Sequence, residues 1–209
     1  DDDQLILSSE VGVLDIEKSQ LPGVNPSPWQ TDTCIGNWFY DAKQTFKRPE
    51  QIIEMLVDII SKNGCMLLNV LQRPDGTIDA ETRFILEELA KWFAVCQEGV
   101  YGTRPFRVFG EGDTKVLIEG FREDKTEWNS SDFRFTRKGN TVYAFMLKAP
   151  ENRAAAIIKS LKPEERVRSV RLLGAGNVEF SQYCGVLTVK LPENLPTEYV
   201  NCLALEMQE

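Results

Sequence analysis

The sequence predicts a chain of two classes in series: an α/β layer of parallel strands and helices, followed by an antiparallel β-sandwich. Three observations carry this. Residues 49–97 hold two helix-period segments around one short apolar run. After Gly102 the apolar period drops to two, in short segments parted by turn residues. No internal repeat or low-complexity stretch interrupts either pattern.

The first helix is expected over 49–62. Pro49 and Glu50 suit a first helical turn, and Ile52, Ile53, Leu56, Ile59 and Ile60 make one apolar stripe. Asn63-Gly64 supplies its stop. The run CMLLNV at 65–70 reads as a buried parallel strand, and Asp75-Gly76 as a turn beyond it. A second helix, about 80–97, carries Phe84, Ile85, Leu89, Trp92, Phe93 and Cys96 on its apolar face. Helix–strand–helix order fits an α/β barrel or an open α/β sheet. Later strands are expected at 105–109, 115–120, 132–137, 141–148, 154–160, 166–173, 177–182, 185–191 and 199–207. Lys138-Gly139-Asn140 forms a hairpin turn between two of them. Leu172, Leu187, Val189, Leu203 and Leu205 are expected in the core, as is Trp92. The division falls near residue 102: 1–102 is the α/β part and 103–209 the sandwich. A complete (β/α)8 barrel needs roughly 250 residues, and about 200 at the low end, so the first part supplies two or three β/α units.

Composition narrows the chemistry. The net charge is −8 and no Lys/Arg cluster stands out, which argues against nucleic-acid binding. The mixed run Glu164, Glu165, Arg166, Arg168 and Arg171 reads as a solvated strand edge. The chain has no histidine, which removes Ser-His-Asp and Cys-His catalysis and imidazole-ligated zinc. No metal and no cofactor is expected. The five cysteines, Cys34, Cys65, Cys96, Cys184 and Cys202, contain no CxxC pair. Cys65 and Cys202 sit in apolar runs, where buried free thiols are expected. No run of about 18 apolar residues suggests a membrane span. The leading Asp1-Asp2-Asp3 reads as a solvated end.

A series of short strings runs in order through the first two thirds of the chain. Pro28-Trp29-Gln30-Thr31-Asp32-Thr33 precedes Ile35-Gly36-Asn37-Trp38-Phe39-Tyr40, and Val57-Asp58-Ile59-Ile60-Ser61-Lys62-Asn63-Gly64 follows. Next come Leu67-Leu68-Asn69-Val70 with Pro74-Asp75-Gly76-Thr77-Ile78. Tyr101-Gly102-Thr103-Arg104-Pro105 and Gly110-Glu111-Gly112 close the series. In this order the chain resembles the α-L-fucosidases of glycoside hydrolase family twenty-nine, over about residues 10 to 147. The resemblance implies the last β/α units of a (β/α)8-type barrel followed by an antiparallel β-sandwich. It also implies hydrolysis of terminal α-L-fucosyl linkages with retention, which requires two carboxyl groups about 5–5.5 Å apart.

The resemblance carries over unevenly. The family's nucleophile, an Asp in an Asn-Asp string, belongs well upstream of the Trp-Gln-Thr segment, where this chain has fewer than thirty residues and no such string. The histidines that hold fucose hydroxyls are absent too, so the chain alone is expected to be inactive. Asp15-Ile16-Glu17-Lys18 stands where the subgroup often has Asp-aromatic-Glu-Arg-Gly. Glu17 is thus the candidate acid/base, on a loop at the C-terminal face of the barrel, or else a surface glutamate; Lys18 and Ser19 depart from the pattern. Trp38 and Trp29, both read as loop residues, are candidate walls for the sugar or core fillers. Asp32 and Asn37 are candidates for bonding hydroxyls, or cap turns. Asn69 either faces the barrel top or satisfies a neighbouring loop.

The implied partner is a fucosylated glycan, with no nucleic acid and no membrane, and with association either to the remaining barrel half or between copies. The implied location is secreted, periplasmic or lysosomal. Two other readings stand beside the enzymatic one: a non-catalytic carbohydrate-binding module, and a structural fragment that folds through its sandwich.

Overall fold

The computed structural model of the chain describes residues 11–116, 126–151 and 155–208. The first layer is a parallel sheet of β1 (Leu14–Glu17), β2 (Trp29–Cys34) and β3 (Gly64–Asn69), in that order. Helix α1 (Pro49–Ser61) connects β2 to β3, and α2 (Ala80–Cys96) follows β3. After a 3-10 turn the chain enters two antiparallel sheets. The larger joins β4 (Arg104–Glu111), β5 (Phe133–Lys138), β6 (Thr141–Met146), β8 (Val167–Leu172), β9 (Gly176–Asn177) and β12 (Asn201–Met207), in the order β4-β5-β6-β12-β8-β9. The smaller is β10-β11-β7, from β7 (Ala155–Ile158), β10 (Phe180–Tyr183) and β11 (Val186–Lys190). This is a partial barrel plus sandwich, the expected class.

The local chemistry explains the elements. Pro49 opens α1, and the Arg48 backbone N–H donates to Gln51 Oε1 at 2.9 Å. Asn63 takes the left-handed conformation (φ 71°) that ends the helix. Gly64 follows at once, because a Cβ there would lie 2.6 Å from the Trp29 ring and 2.7 Å from Ile59. Asp79 caps α2 by accepting from the Thr82 N–H at 2.9 Å. The β5–β6 hairpin turns at Gly139–Asn140, with Lys138 paired to Thr141 and Gly139 at φ 56°.

The expectations that fail have physical causes. The chain over 177–182 is not one strand: β9 belongs to the large sheet and β10 to the small one, so the chain changes sheets there. Glu17 and Trp29, read as loop residues, lie on strands, over 14–17 and 29–34. The strand at 65–70 is parallel but not buried on both faces. Met66 and Leu68 pack toward the helices, whereas Cys65 is exposed and Leu67 is 55% exposed. Cys65 is therefore no buried thiol, while Cys202 is. Phe84 is exposed as well. The buried stripe of α2 runs Ile85, Leu89, Trp92 and Cys96, and Phe84 lies about 100° off it. The charged run is more than solvated: Glu165 pairs with Arg107, Arg168 with Glu206 and Arg171 with Glu98. The strand expected at 115–120 falls mostly, and Asp1-Asp2-Asp3 wholly, outside the described residues. None of the described helices is long and apolar enough to cross a membrane.

Two large cores hold the molecule, with a small third cluster of Trp29, Met55 and Ile59 beside them. The sandwich core contains Phe133, Phe135, Leu172, Leu187, Val189, Leu203 and Leu205, all at most 1% exposed. The second spans the two parts: Ile52, Ile53, Val57, Leu89 and Trp92 pack with Tyr143, Phe145, Val200 and Cys202. Trp92 also donates its indole N–H to the Val200 carbonyl at 2.7 Å. At the same seam Asp58, fully buried, accepts from Lys62 Nζ and Arg134 Nε, each at 2.5 Å. The Arg134 guanidinium lies 4.7 Å from the Trp128 ring centroid and 5.4 Å from that of Phe109.

Removing one partner of a buried charge set strands the others, at about 3–5 kcal/mol. Asp58→Ala should lose roughly that much stability in urea denaturation, whereas Arg168→Ala, at an exposed pair, should lose under about 1 kcal/mol. A second expectation concerns pH. Burial and neighbouring Glu50 raise the Glu54 carboxyl from its ordinary 4.5 to about 8. The folded state thus holds a proton there that the unfolded state releases, and stability falls as pH rises from about 4.5 through about 8. Glu54→Gln should flatten that fall in denaturation curves taken across this window.

Candidate active site

The three parallel strands end side by side. Their register pairs Glu17 with Asp32 and Asp32 with Leu67, and pairs Asp15 with Gln30 and Gln30 with Cys65. Paired residues of adjacent strands point to the same face, so these six share the face opposite the helices. The other face of β2 is packed: Thr31 and Thr33 are buried, and Thr31 Oγ1 lies 2.7 Å from the Ile16 carbonyl and 2.8 Å from that of Ser19, which share its one proton. One side of the sheet is core, and the other presents carboxylates and amides.

The segment after β2 brings Trp38 over this face. It is braced at several points. Ile35 N–H donates to the Asn69 carbonyl at 3.1 Å, and Lys47 N–H to the Ile35 carbonyl at 2.8 Å. Lys47 Nζ donates to the Cys34 carbonyl at 2.7 Å. Gln44 Oε1 accepts from the Asn37 N–H at 3.1 Å. A Cβ at Gly36 would overlap the Gln44 amide and displace it from this contact. Asn69 Nδ2 reaches the Trp38 carbonyl at 3.2 Å, so Asn69 satisfies the loop.

Trp38, half-buried, donates its indole N–H to Glu17 Oε1 at 2.8 Å. Lys18 Nζ stands 5.0 Å from the Trp38 ring centroid. Lys18 reaches this position because its backbone is left-handed (φ 46°) and its N–H is tied to the Asp32 carbonyl at 2.9 Å. Glu17, Asp32 and Trp38 are thereby gathered at one end of the sheet. Asn37 is exposed beside them. Glu17 is the last residue of a strand, not part of a loop. Sequence reasoning missed Gln44, which carries no signal of its own, and treated Lys18 only as a departure.

Trp29 does not join the group. It is fully buried at the opposite end of β2, packed with Met55 and Ile59, and its indole N–H donates to the Lys62 carbonyl at 2.9 Å. A substrate has no access to it, so it is a core residue and not a sugar wall. Two clefts of about 290 and 310 Å³ flank the 194–201 segment and share no residue with the strand-end group. No cluster of His, Cys, Asp or Glu suited to a metal ion occurs among the described residues.

Parallel strands with helices packed behind them, backed in turn by an antiparallel sandwich, define a partial barrel joined to a β-sandwich. The family comparisons agree. Residues 8–98 match the model "Alpha-L-fucosidase" and residues 124–206 match "Alpha-L-fucosidase C-terminal domain". The chain belongs to the α-L-fucosidase family. Tissue α-L-fucosidase of Mus musculus is 30% identical over 176 residues, covering 81% of this chain and 35% of that protein. The Homo sapiens protein is 30% identical over 129 residues, covering 59% and 24%. The chain thus spans about a third or less of the curated relatives it matches. In fold it is similar to α-L-fucosidase isoenzyme 1 from Paenibacillus thiaminolyticus, with TM-score 0.75 and 24% identity, over 93% of this chain and 45% of that one. The Thermotoga maritima α-fucosidase gives 0.69 and 24%, over 87% and 40%.

Trp29 and Trp38 can be separated experimentally. Trp29→Phe removes one buried hydrogen bond, at about 1 kcal/mol, and should lower the denaturation midpoint. The indole N–H resonance of Trp38 should stay where it is.

Proposed function

We propose that these residues form the C-terminal part of a retaining α-L-fucosidase that removes terminal α-L-fucosyl groups from glycoconjugates or oligosaccharides. In this reading Glu17 is the acid/base. The observation that carries it is the Glu17 carboxylate at the end of a parallel strand, bonded to the Trp38 indole, in a chain of this family. Trp38 walls the sugar with the ring face that Lys18 leaves open, and Asp32 and Asn37 bond its hydroxyls.

Retention needs a second carboxylate about 5–5.5 Å from the first, as nucleophile. That group comes, in this proposal, from barrel strands outside the 209 residues. Glu17 then protonates the leaving oxygen and later takes a proton from water. The same reading divides the chain into 1–102, the end of the catalytic barrel, and 103–209, the sandwich; the change from parallel to antiparallel pairing between β3 and β4 supports it. Among the described residues β1 and β3 are the two edges of the order β1-β2-β3, and there further barrel strands, or a second copy, would pair. A secreted, periplasmic or lysosomal location belongs to the same proposal.

The test is release of 4-nitrophenol from 4-nitrophenyl α-L-fucoside. The 209-residue chain should give none. A polypeptide that adds the remaining barrel strands should turn the substrate over, and Glu17→Gln in it should lower kcat at least about a hundredfold. Turnover by the 209 residues alone would mean that the nucleophile lies within them.

A further inference from the structure

We infer that Lys18, Trp38 and Glu17 form a fixed ammonium–indole–carboxylate relay that orients the acid/base, with Lys18 and Trp38 as positioning residues and Oε2 of Glu17 as the oxygen that carries the transferable proton. The inference deepens the proposed function and rests on it for the role of Glu17.

The geometry carries it. An indole N–H donates and never accepts, and in a protonated carboxyl group the carbonyl oxygen accepts it better than the hydroxyl oxygen does. Oε1 of Glu17 is the acceptor, 2.8 Å from Trp38 Nε1. When the carboxyl group takes up a proton, the proton therefore goes to Oε2. The hydrogen bond fixes which oxygen faces the leaving group, and a carboxyl group free to rotate would not have that property. Glu17 is exposed, so the ordering must come from its partners.

Trp38 is itself held on two sides. Asn69 Nδ2 donates to its carbonyl, and the Lys18 ammonium lies over its ring. A cation at 5.0 Å from the centroid is within the range of a cation–π contact. The left-handed turn at Lys18 brings this charge back over the residue that bonds its own neighbour in sequence. One ring face of Trp38 is thereby closed to sugar. The charged groups facing Glu17 are Lys18 after it, Asp15 two residues before it on β1, and Asp32 across on β2; β3 presents the neutral Leu67 and Asn69.

The test needs neither sugar nor turnover. In the ¹⁵N-labelled 209-residue chain, Trp29, Trp38, Trp92 and Trp128 give four indole signals, and Trp38→Phe identifies that of Trp38. The Trp38 signal should move with the titration of a carboxyl group. It should stop moving in Glu17→Gln and keep moving in Asp32→Asn. Lys18→Met should speed solvent exchange of the Trp38 indole hydrogen roughly tenfold, and Lys18→Arg should restore it. The Trp29 and Trp92 signals, bonded to backbone carbonyls, report that each variant is folded. A Trp38 signal that ignores pH, one that still titrates in Glu17→Gln, or unchanged exchange in Lys18→Met would each overturn the relay. If the relay holds while Glu17→Gln leaves the turnover of the barrel-complete polypeptide intact, the acid/base reading fails on its own.

Discussion

The structure hangs on one buried carboxylate. Asp58 lies on α1, fully shielded from water, and binds a lysine from its own helix end and an arginine from β5. Two cations around one anion in a dry site are expensive. Burial pulls the Lys62 ammonium below its ordinary range despite Asp58. The excess charge is spread over the faces of Trp128 and Phe109, whose rings accept cations electrostatically. A site of this kind favours one arrangement of helix against sheet, because any slip leaves a buried charge alone.

From Asp58 the constraint runs on to the strand ends. Lys62, held by its side chain, offers its carbonyl to the Trp29 indole and to the Asn25 N–H. That fastens the first residue of β2. Five residues later, about 17 Å along the strand, the same β2 delivers Cys34 and the braced loop that carries Trp38. The tryptophan at the bottom and the tryptophan at the top therefore serve one strand in different ways. The first anchors it in the core, and the second uses its position to hold Glu17.

Much of this was legible in the sequence, for reasons that also explain the rest. Helix α1 and strand β11 bury one regular face, and β5, β6 and β12 are buried on both, between the two cores, so their apolar runs survive in the chain. Strands β1 and β2 were unreadable because Asp15, Glu17, Gln30 and Asp32 occupy the face where an ordinary barrel strand carries branched apolar residues. The residues that make a site erase the pattern that would announce the strand. Trp29 failed for another reason. Sequence separates Trp29 from Trp38 by nine positions, but only the strand between them shows that they lie at opposite ends. Phe84 and Cys65 look apolar in sequence, and their exposure follows from which face the helices cover.

The sandwich completes the logic. In a barrel the helices ordinarily turn their outer surface to water, and a helix packed on one side can rock. Here α1 is enclosed on both sides, with Met55 and Ile59 against Trp29 and with Ile52, Ile53 and Val57 in the core that holds Phe145 and Cys202. Two hydrogen bonds tie α2 to the sandwich in the same way: the Trp92 indole donates to the Val200 carbonyl, and the Tyr199 hydroxyl donates to Glu88 of α2. The sandwich thus acts as a backing plate that takes away the freedom of the helices. Because those helices fix the strands, and the strands fix the spacing of Glu17, Asp32 and Trp38, a domain remote from the carboxylate sets how sharply that carboxylate is placed.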